Sequence, residues 1–428
     1  MGTMYGFVVL VLMALLYFVA MRWRRRIIKA TLEEFKEKDD SYTLVVGAYD
    51  WGPAVDKIIV NPVSYIGAFD EEELFPTDFT VEAEGKMRVV KDAYFSDVNG
   101  ERDAGEDHIT LELAVAPFAS ECSPFVYDRE SEKNNWKESF PHVIRHPKFA
   151  QPITEFNDIY CPPADVFEEV KTFNRLSAAA FIPEEADDEH QHPLIVWLNG
   201  AGEGGHDPKI ALLGNKVTAL AQNPIQSYFS GAYVLVVQTP TVWMDAGSPY
   251  DILQDSCTDK SSQYTKECFA VINTFVKKYK NIDRKRIYIG GCSNGGYMTL
   301  NMILHYPDYF AAGYPICEAY NDAWLSDSDI AVLDAVPLWF TAARNDTTVP
   351  PEQHVIATTE RLVTHREGYE LHMSLFDDVH DTSGLYLAED GGPFAYPGHW
   401  SWIYALNDQC AEEDDGSMWS WLARTRRA

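Results

Sequence analysis

The chain has 428 residues, 46% hydrophobic and 23% charged, which is long enough for two globular bodies with separate cores. Its formal net charge is −30, from 65 acidic against 35 basic side chains. So acidic a body repels phosphate backbones, which excludes nucleic acid as a partner and leaves solubility as the reading of the charge.

Met4 to Met21 carries no charged side chain and is almost wholly apolar. Eighteen residues at about 1.5 Å each reach about 27 Å, enough to cross a bilayer's hydrocarbon layer. Arg22, Arg24, Arg25 and Arg26 follow at once. A secretory signal would carry its positive charge first and a small-residue cleavage site afterwards. Residues 1–29 therefore read as an uncleaved single-pass anchor with its basic flank. The positive-inside rule puts the body in the cytoplasm, with an extracellular body as the alternative. Residues 30–40 are charged, helix-prone and read as a juxtamembrane spacer.

From Ser41 the period changes to two. Tyr42–Gly47, Lys57–Val60, Phe79–Val81, Arg88–Val90 and His108–Val115 read as short strands. In the last, Ile109, Leu111, Leu113 and Val115 share one face. Asn99-Gly100 is a hairpin-turn signal. Strands without helices predict a small all-β sandwich over 41–125. Residues 126–165 read as a polar, proline-punctuated connector.

Over 166–428 strands and helices alternate, predicting a doubly wound, mostly parallel sheet flanked by helices. Leu176–Ile182, Pro193–Leu198, Ala232–Val237, Phe310–Ile316, Pro337–Ala343 and Tyr369–Phe376 are the strands. Cys268, Val271, Ile272, Phe275, Val276 and Tyr279 form the core stripe of a helix. His190 and His192 sit at a polar turn and read as solvated rather than metal-binding.

Between two of these strands lies Arg286-Ile-Tyr-Ile-Gly-Gly-Cys-Ser-Asn-Gly-Gly-Tyr-Met298. Its centre, Gly291 to Gly295, fits G-x-S-x-G, a strand-to-helix turn that exposes a nucleophilic serine, Ser293. Serine needs a base, and the base an orienting acid. Asp346, just past the strand ending at Ala343, is the acid. Two bases are open on spacing alone: His380, and His399 on a loop where Gly398 gives backbone freedom. Acyl transfer also needs oxyanion donors. One is the amide of Asn294, directly after the serine. The other comes from Asn199-Gly-Ala-Gly-Glu-Gly-Gly205, with Ala201 as donor and Gly202 beside it. No Lys-Ser/Thr follows this loop, so it is not a phosphate loop.

The segments Trp197–Gly205, Gln238–Asp245, Gly290–Gly296 and Gly398–Ile403 together resemble the predicted peptidase/esterase family of α/β-hydrolases, similar to poly-hydroxybutyrate depolymerases and feruloyl esterases. Members often carry an immunoglobulin-like domain before the hydrolase, matching 41–125. The resemblance implies a Ser293, Asp346, His399 triad and so favours His399 over His380. Where the family usually has His-Gly, this chain has Asn199-Gly200. Trp243, Asp245 and Glu318 follow strand ends and are expected in the substrate cleft, with a core or lid position the equal alternative for Trp243. The expected activity is cleavage of a small carboxylic ester through an acyl-enzyme, or, as the alternative, of short peptides, with no metal or organic cofactor. Substrate groups and oligomeric state are not encoded in these patterns.

The seven cysteines, Cys122, Cys161, Cys257, Cys268, Cys292, Cys317 and Cys410, are odd in number and show no metal-ligand spacing. They read as free thiols, mostly buried, and imply no structural zinc.

Overall fold

The computed structural model describes residues 40–64, 74–105, 107–187, 189–247, 261–366 and 371–428. The anchor reading of Met4–Met21, most of the spacer and Cys257 lie outside them. Among the described residues no helix is long and apolar enough to cross a membrane. The six described cysteines are free and buried.

The chain divides into two compact units. One comprises residues up to Val45, Lys57–Ala114 and Phe140–Ile159; the other comprises Val46–Asp56, Val115–Ser139 and Tyr160–Ala428.

The first unit is all β. The strands that lie wholly or in part within it are, in chain order, β1 (Ser41–Tyr49), β2 (Gly52–Asn61), β3 (Thr80–Ala83), β4 (Lys86–Arg88), β5 (Val90–Ser96) and β6 (His108–Leu113). A hairpin of the second unit follows, β7 (Phe125–Asp128) with β8 (Lys133–Trp136), and then β9 (His142–Arg145) and β10 (Glu155–Tyr160). Five strands pair in the order β10-β1-β2-β6-β5, and three in the order β4-β3-β9. Ile109, Leu111 and Leu113 are fully buried, as their alternation demands. Thr110 between them is buried too, and its hydroxyl is satisfied by Ser96 Oγ at 2.8 Å.

The connector assigned to 126–165 needs correcting. Ile144 of β9 sits opposite Val81 of β3, both fully buried, and the hydroxyl of Tyr42 accepts the N–H of His142 at 2.9 Å. Four-residue strands among prolines and charges lack the run length that marks a strand in sequence. β5 was likewise hidden, its Lys91 and Asp92 breaking the apolar pattern.

The second unit holds an eight-stranded sheet. Its members are β11 (Glu168–Glu169), β12 (Ser177–Phe181), β13 (His192–Leu198), β14 (Tyr233–Gln238), β15 (Ile282–Cys292), β16 (Ala312–Ile316), β17 (Trp339–Ala343) and β18 (His372–Phe376). Their order is β11-β12-β14-β13-β15-β16-β17-β18. β13 through β18 pair in parallel; β11 and β12 are antiparallel. The buried runs of β13 and β14 carry no exposed position, as expected of strands covered on both faces. The helical stripe lies on α1 (Thr265–Lys278), whose Cys268, Val271, Ile272, Phe275 and Val276 enter the core. α2 (Asn294–His305) follows β15 directly and is buried along nearly its whole length. The ends of β13, β15 and β17 bring Asn199, Ser293 and Asp346 to the carboxyl edge of the sheet, where such folds place ligand chemistry.

Candidate active site

Ser293 sits between β15 and α2 with φ 56° and ψ −117°. A β-carbon-bearing residue pays for this conformation, and the surrounding bonds hold it there. Its N–H donates to Ile316 O at 2.9 Å, and its carbonyl accepts from Tyr297 N and Ala319 N at 3.0 and 3.2 Å. Gly295 is required by close approach: a Cβ there would lie 2.1 Å from the carbonyl oxygen of Leu198.

Asp346 is 4% exposed, and its carboxylate is fully used. Oδ1 accepts the N–H groups of Thr348 and Val349 at 2.8 and 2.9 Å. Oδ2 lies 2.7 Å from Nδ1 of His399. This fixes the ring so that its other nitrogen is the free one. Gly398 is needed for a reason other than backbone freedom: a Cβ would sit 2.2 Å from Asn345 Oδ1, so only glycine lets the two loops touch. His380, the second candidate base, instead bonds Asp378 Oδ1 at 2.6 Å and the hydroxyl of Tyr404 at 3.2 Å, with 43% of its side chain exposed.

Ser293 and His399 open onto one cavity of about 750 Å³, together with Ala201, Gly202 and Glu203. Its other walls come from early in the chain: Trp51, Phe118, Phe125, Tyr127 and Asn134, all within the second unit. Sequence reasoning gave none of these. Among the described residues no lysine or arginine lines the cavity.

Asn199, standing where the family has histidine, is fully buried and fastens the loop. Its Nδ2 donates to Gly200 O at 2.7 Å, and its Oδ1 accepts from Thr239 N at 3.1 Å.

Trp243 takes the core position that was its alternative, and Asp245 and Glu318 do not line the cavity. Trp243 is fully buried in the core; its indole N–H donates to Asn199 O at 3.0 Å and its main-chain N–H donates to Asn294 Oδ1. Asp245 organises its own turn, accepting from Thr241 Oγ1 at 2.8 Å and Gly247 N at 2.7 Å. Glu318 is 1% exposed, accepts from Tyr320 N at 2.6 Å, and packs its Cα against Gly296. Burial raises its pKa well above the ordinary carboxyl range. Position after a strand end located all three correctly along the chain. It did not tell inward from outward.

Glu203 was also missed. It is buried at the base of the cavity, and desolvation pushes its pKa up to about 7. The available signal was an acid inside a glycine-dense loop following a buried strand.

Among the described residues, His372, Glu412 and Asp415 have donor atoms close enough to share a metal. Glu412 already accepts from His372 Nδ1 and Met373 N, both at 2.9 Å, and Arg424 lies 3.7 Å from Asp415. The cluster is satisfied by its own hydrogen bonds and the Arg424 contact.

Residues 41–150 match the family model described as an esterase Ig-like N-terminal domain, and residues 254–331 match the prolyl oligopeptidase family. The chain thus carries a segment matching an esterase-type Ig-like domain, followed by one matching the prolyl oligopeptidase family. A curated relative, the probable acetylxylan esterase A of Aspergillus flavus, is 26% identical over 168 residues. That match covers 37% of this chain and 52% of the relative, so it spans about half the relative's length. A solved thermostable esterase superposes with a TM-score of 0.69 at 22% identity, covering 90% of this chain and 100% of that one. At that identity the likeness is one of fold.

Proposed function

We propose that this chain is a serine hydrolase that cleaves a carboxylic ester through an acyl-enzyme. Ser293 attacks the carbonyl, His399 takes its proton and returns it to the leaving alcohol, and Asp346 orients the imidazole. The amides of Ala201 and Asn294 receive the oxyanion. The observation that carries this reading is one arrangement. A serine held at φ 56° opens onto the same cavity as an imidazole whose Nδ1 is 2.7 Å from a buried carboxylate. The test is labelling by a fluorophosphonate probe; the reading predicts that it vanishes in Ser293→Ala. Persistent labelling in that variant sinks the assignment.

A second reading, cleavage of short peptides, is favoured by the match of residues 254–331 to the prolyl oligopeptidase family. p-Nitrophenyl esters tested against aminoacyl nitroanilides separate the two. The run from Met4 to Met21 supports a bilayer anchor, with the basic cluster after it supporting a cytoplasmic body. Recovery of the full chain in the carbonate-washed membrane fraction is expected, with loss to the soluble fraction when residues 1–29 are removed. A soluble full chain would overturn it.

A further inference from the structure

Glu203 sits in the same loop as the Ala201 amide, and its carboxyl folds back beneath Gly200. A Cβ on Gly200 would lie 2.8 Å from Glu203 Oε2, and one on Gly214 would lie 2.7 Å from its Cγ. The loop is thus packed around this carboxyl. At 5% exposure it has a single side-chain partner, Asn134 of β8, whose Nδ2 donates to Oε1 at 3.0 Å. The same hairpin grips the loop's surroundings twice more. Trp136 Nε1 donates to Asp207 Oδ2 at 2.7 Å, and Lys133 Nζ donates to Pro240 O at 2.7 Å. The main chain of Glu203 is tied as well, its carbonyl accepting from Gln238 Nε2 at 2.8 Å.

We propose that Glu203 is a positioning residue for the oxyanion loop that works in its neutral form, with Asn134 holding it in place. The inference rests on the serine-hydrolase reading. A carboxylate beneath the loop would oppose the negative charge that develops on the substrate oxygen, in a site where water screens little. A neutral carboxyl supports the loop without that penalty. A buried carboxyl without a cation favours the neutral form.

The ionisable groups around it are Tyr127 of β7, Glu132 and Lys133 at the hairpin, Cys292 of β15, Asp207 beyond the loop, and His399 across the cavity. Burial raises Tyr127 and Cys292, and the charge of Glu203 adds to both shifts. The ammonium of Lys133 is turned to the Pro240 carbonyl. None of these supplies a counter-charge to Glu203.

The experiment is kcat/KM for p-nitrophenyl butyrate against pH on the full chain. The wild type should fall three- to tenfold through one ionisation near pH 7, where the carboxyl titrates. Glu203→Gln should lose that decline above pH 7. Glu203→Ala should lower kcat at least tenfold at every pH with KM little changed, and Glu203→Gln should recover most of that loss. Asn134→Ala, which removes the donor that favours ionisation, should move the decline to higher pH. A Glu203→Gln profile that keeps the wild-type decline overturns the proposal. So does an unmoved decline in Asn134→Ala should Glu203→Gln fail to fold. Persistent fluorophosphonate labelling of Ser293→Ala would instead overturn the underlying hydrolase reading, independently of these profiles.

Discussion

The indole N–H of Trp243 donates to the main-chain carbonyl of Asn199 at 3.0 Å, with both residues fully buried. One residue thereby clasps the loop after β13, and its own main-chain N–H reaches Asn294 at the start of α2. The two proposed oxyanion donors belong to those two segments, so their separation depends on a side chain that meets no substrate. Trp243→Phe keeps an aromatic side chain, though a smaller one, and removes the donor, leaving a buried carbonyl unpaired. That should cost about 1–3 kcal/mol of stability. It should also lower kcat more than it raises KM, since a loosened loop fails the transition state first. Thermal denaturation alongside steady-state kinetics checks both; an unchanged kcat would remove the clasp from the mechanism.

Asp346 and His380 offer a paired test. Asp346→Asn keeps an acceptor for the Thr348 and Val349 amides, so the loop should stay folded. It puts an amide where His399 Nδ1 needs an acceptor, which favours the wrong tautomer. The worked serine-protease case suggests a loss of about 10⁴ in kcat. His380→Ala, in contrast, should change kcat/KM less than about twofold, because His380 is bound to Asp378 and Tyr404. A large loss in His380→Ala with little in Asp346→Asn would reverse the assignment of the base.

Much of the site could be read because Asn199, Ser293 and Asp346 follow β13, β15 and β17, whose buried apolar runs are conspicuous, and because glycine marks close approach after β13 and β15. Ser293 and Asp346 were expected from such local signals, whereas His399 was favoured over His380 only by the family resemblance. Trp243, Asp245 and Glu318 share the same signal, yet they turn into the core or into their own turns. The direction of a side chain beyond a strand end is set by packing partners distant in sequence. The cavity wall was hidden for the same reason. Trp51, Phe118 and Asn134 come from segments that sequence assigned to a sandwich and a connector, and only the folded chain brings them to the serine.

Glu203 also makes a prediction about stability. Its folded pKa of about 7 lies above the ordinary value of 4.5, so between those pH values the folded state holds more protons than the unfolded one. Stability contributed by this group is therefore full below about pH 4.5 and is lost as pH rises through about 7. The loss amounts to on the order of 3 kcal/mol. Glu203→Gln cannot ionise and should gain on the wild type by about that amount between pH 5 and pH 8, measured by urea denaturation. An equal difference at both pH values would show that the carboxyl titrates normally.

Phe118 has φ 60°, a left-handed conformation that a bulky side chain adopts only under constraint, and it is 60% exposed at the cavity. Its ring contacts Phe394 and Trp400 at centroid distances of 5.8 and 5.5 Å, and Trp400 adjoins the proposed base. Exposure means that burial contributes little here, whereas the backbone cost is about 1–2 kcal/mol. Glycine relieves that cost and loses about 0.5–1 kcal/mol to unfolded-state entropy. Phe118→Gly should therefore leave the melting temperature unchanged or slightly higher. If the strain is retained to hold an aromatic wall against the substrate, the same variant should raise KM several-fold for p-nitrophenyl esters of bulky acids and leave acetate nearly unaffected. Equal effects on both substrates would assign Phe118 to the support of Trp400 and the His399 loop instead.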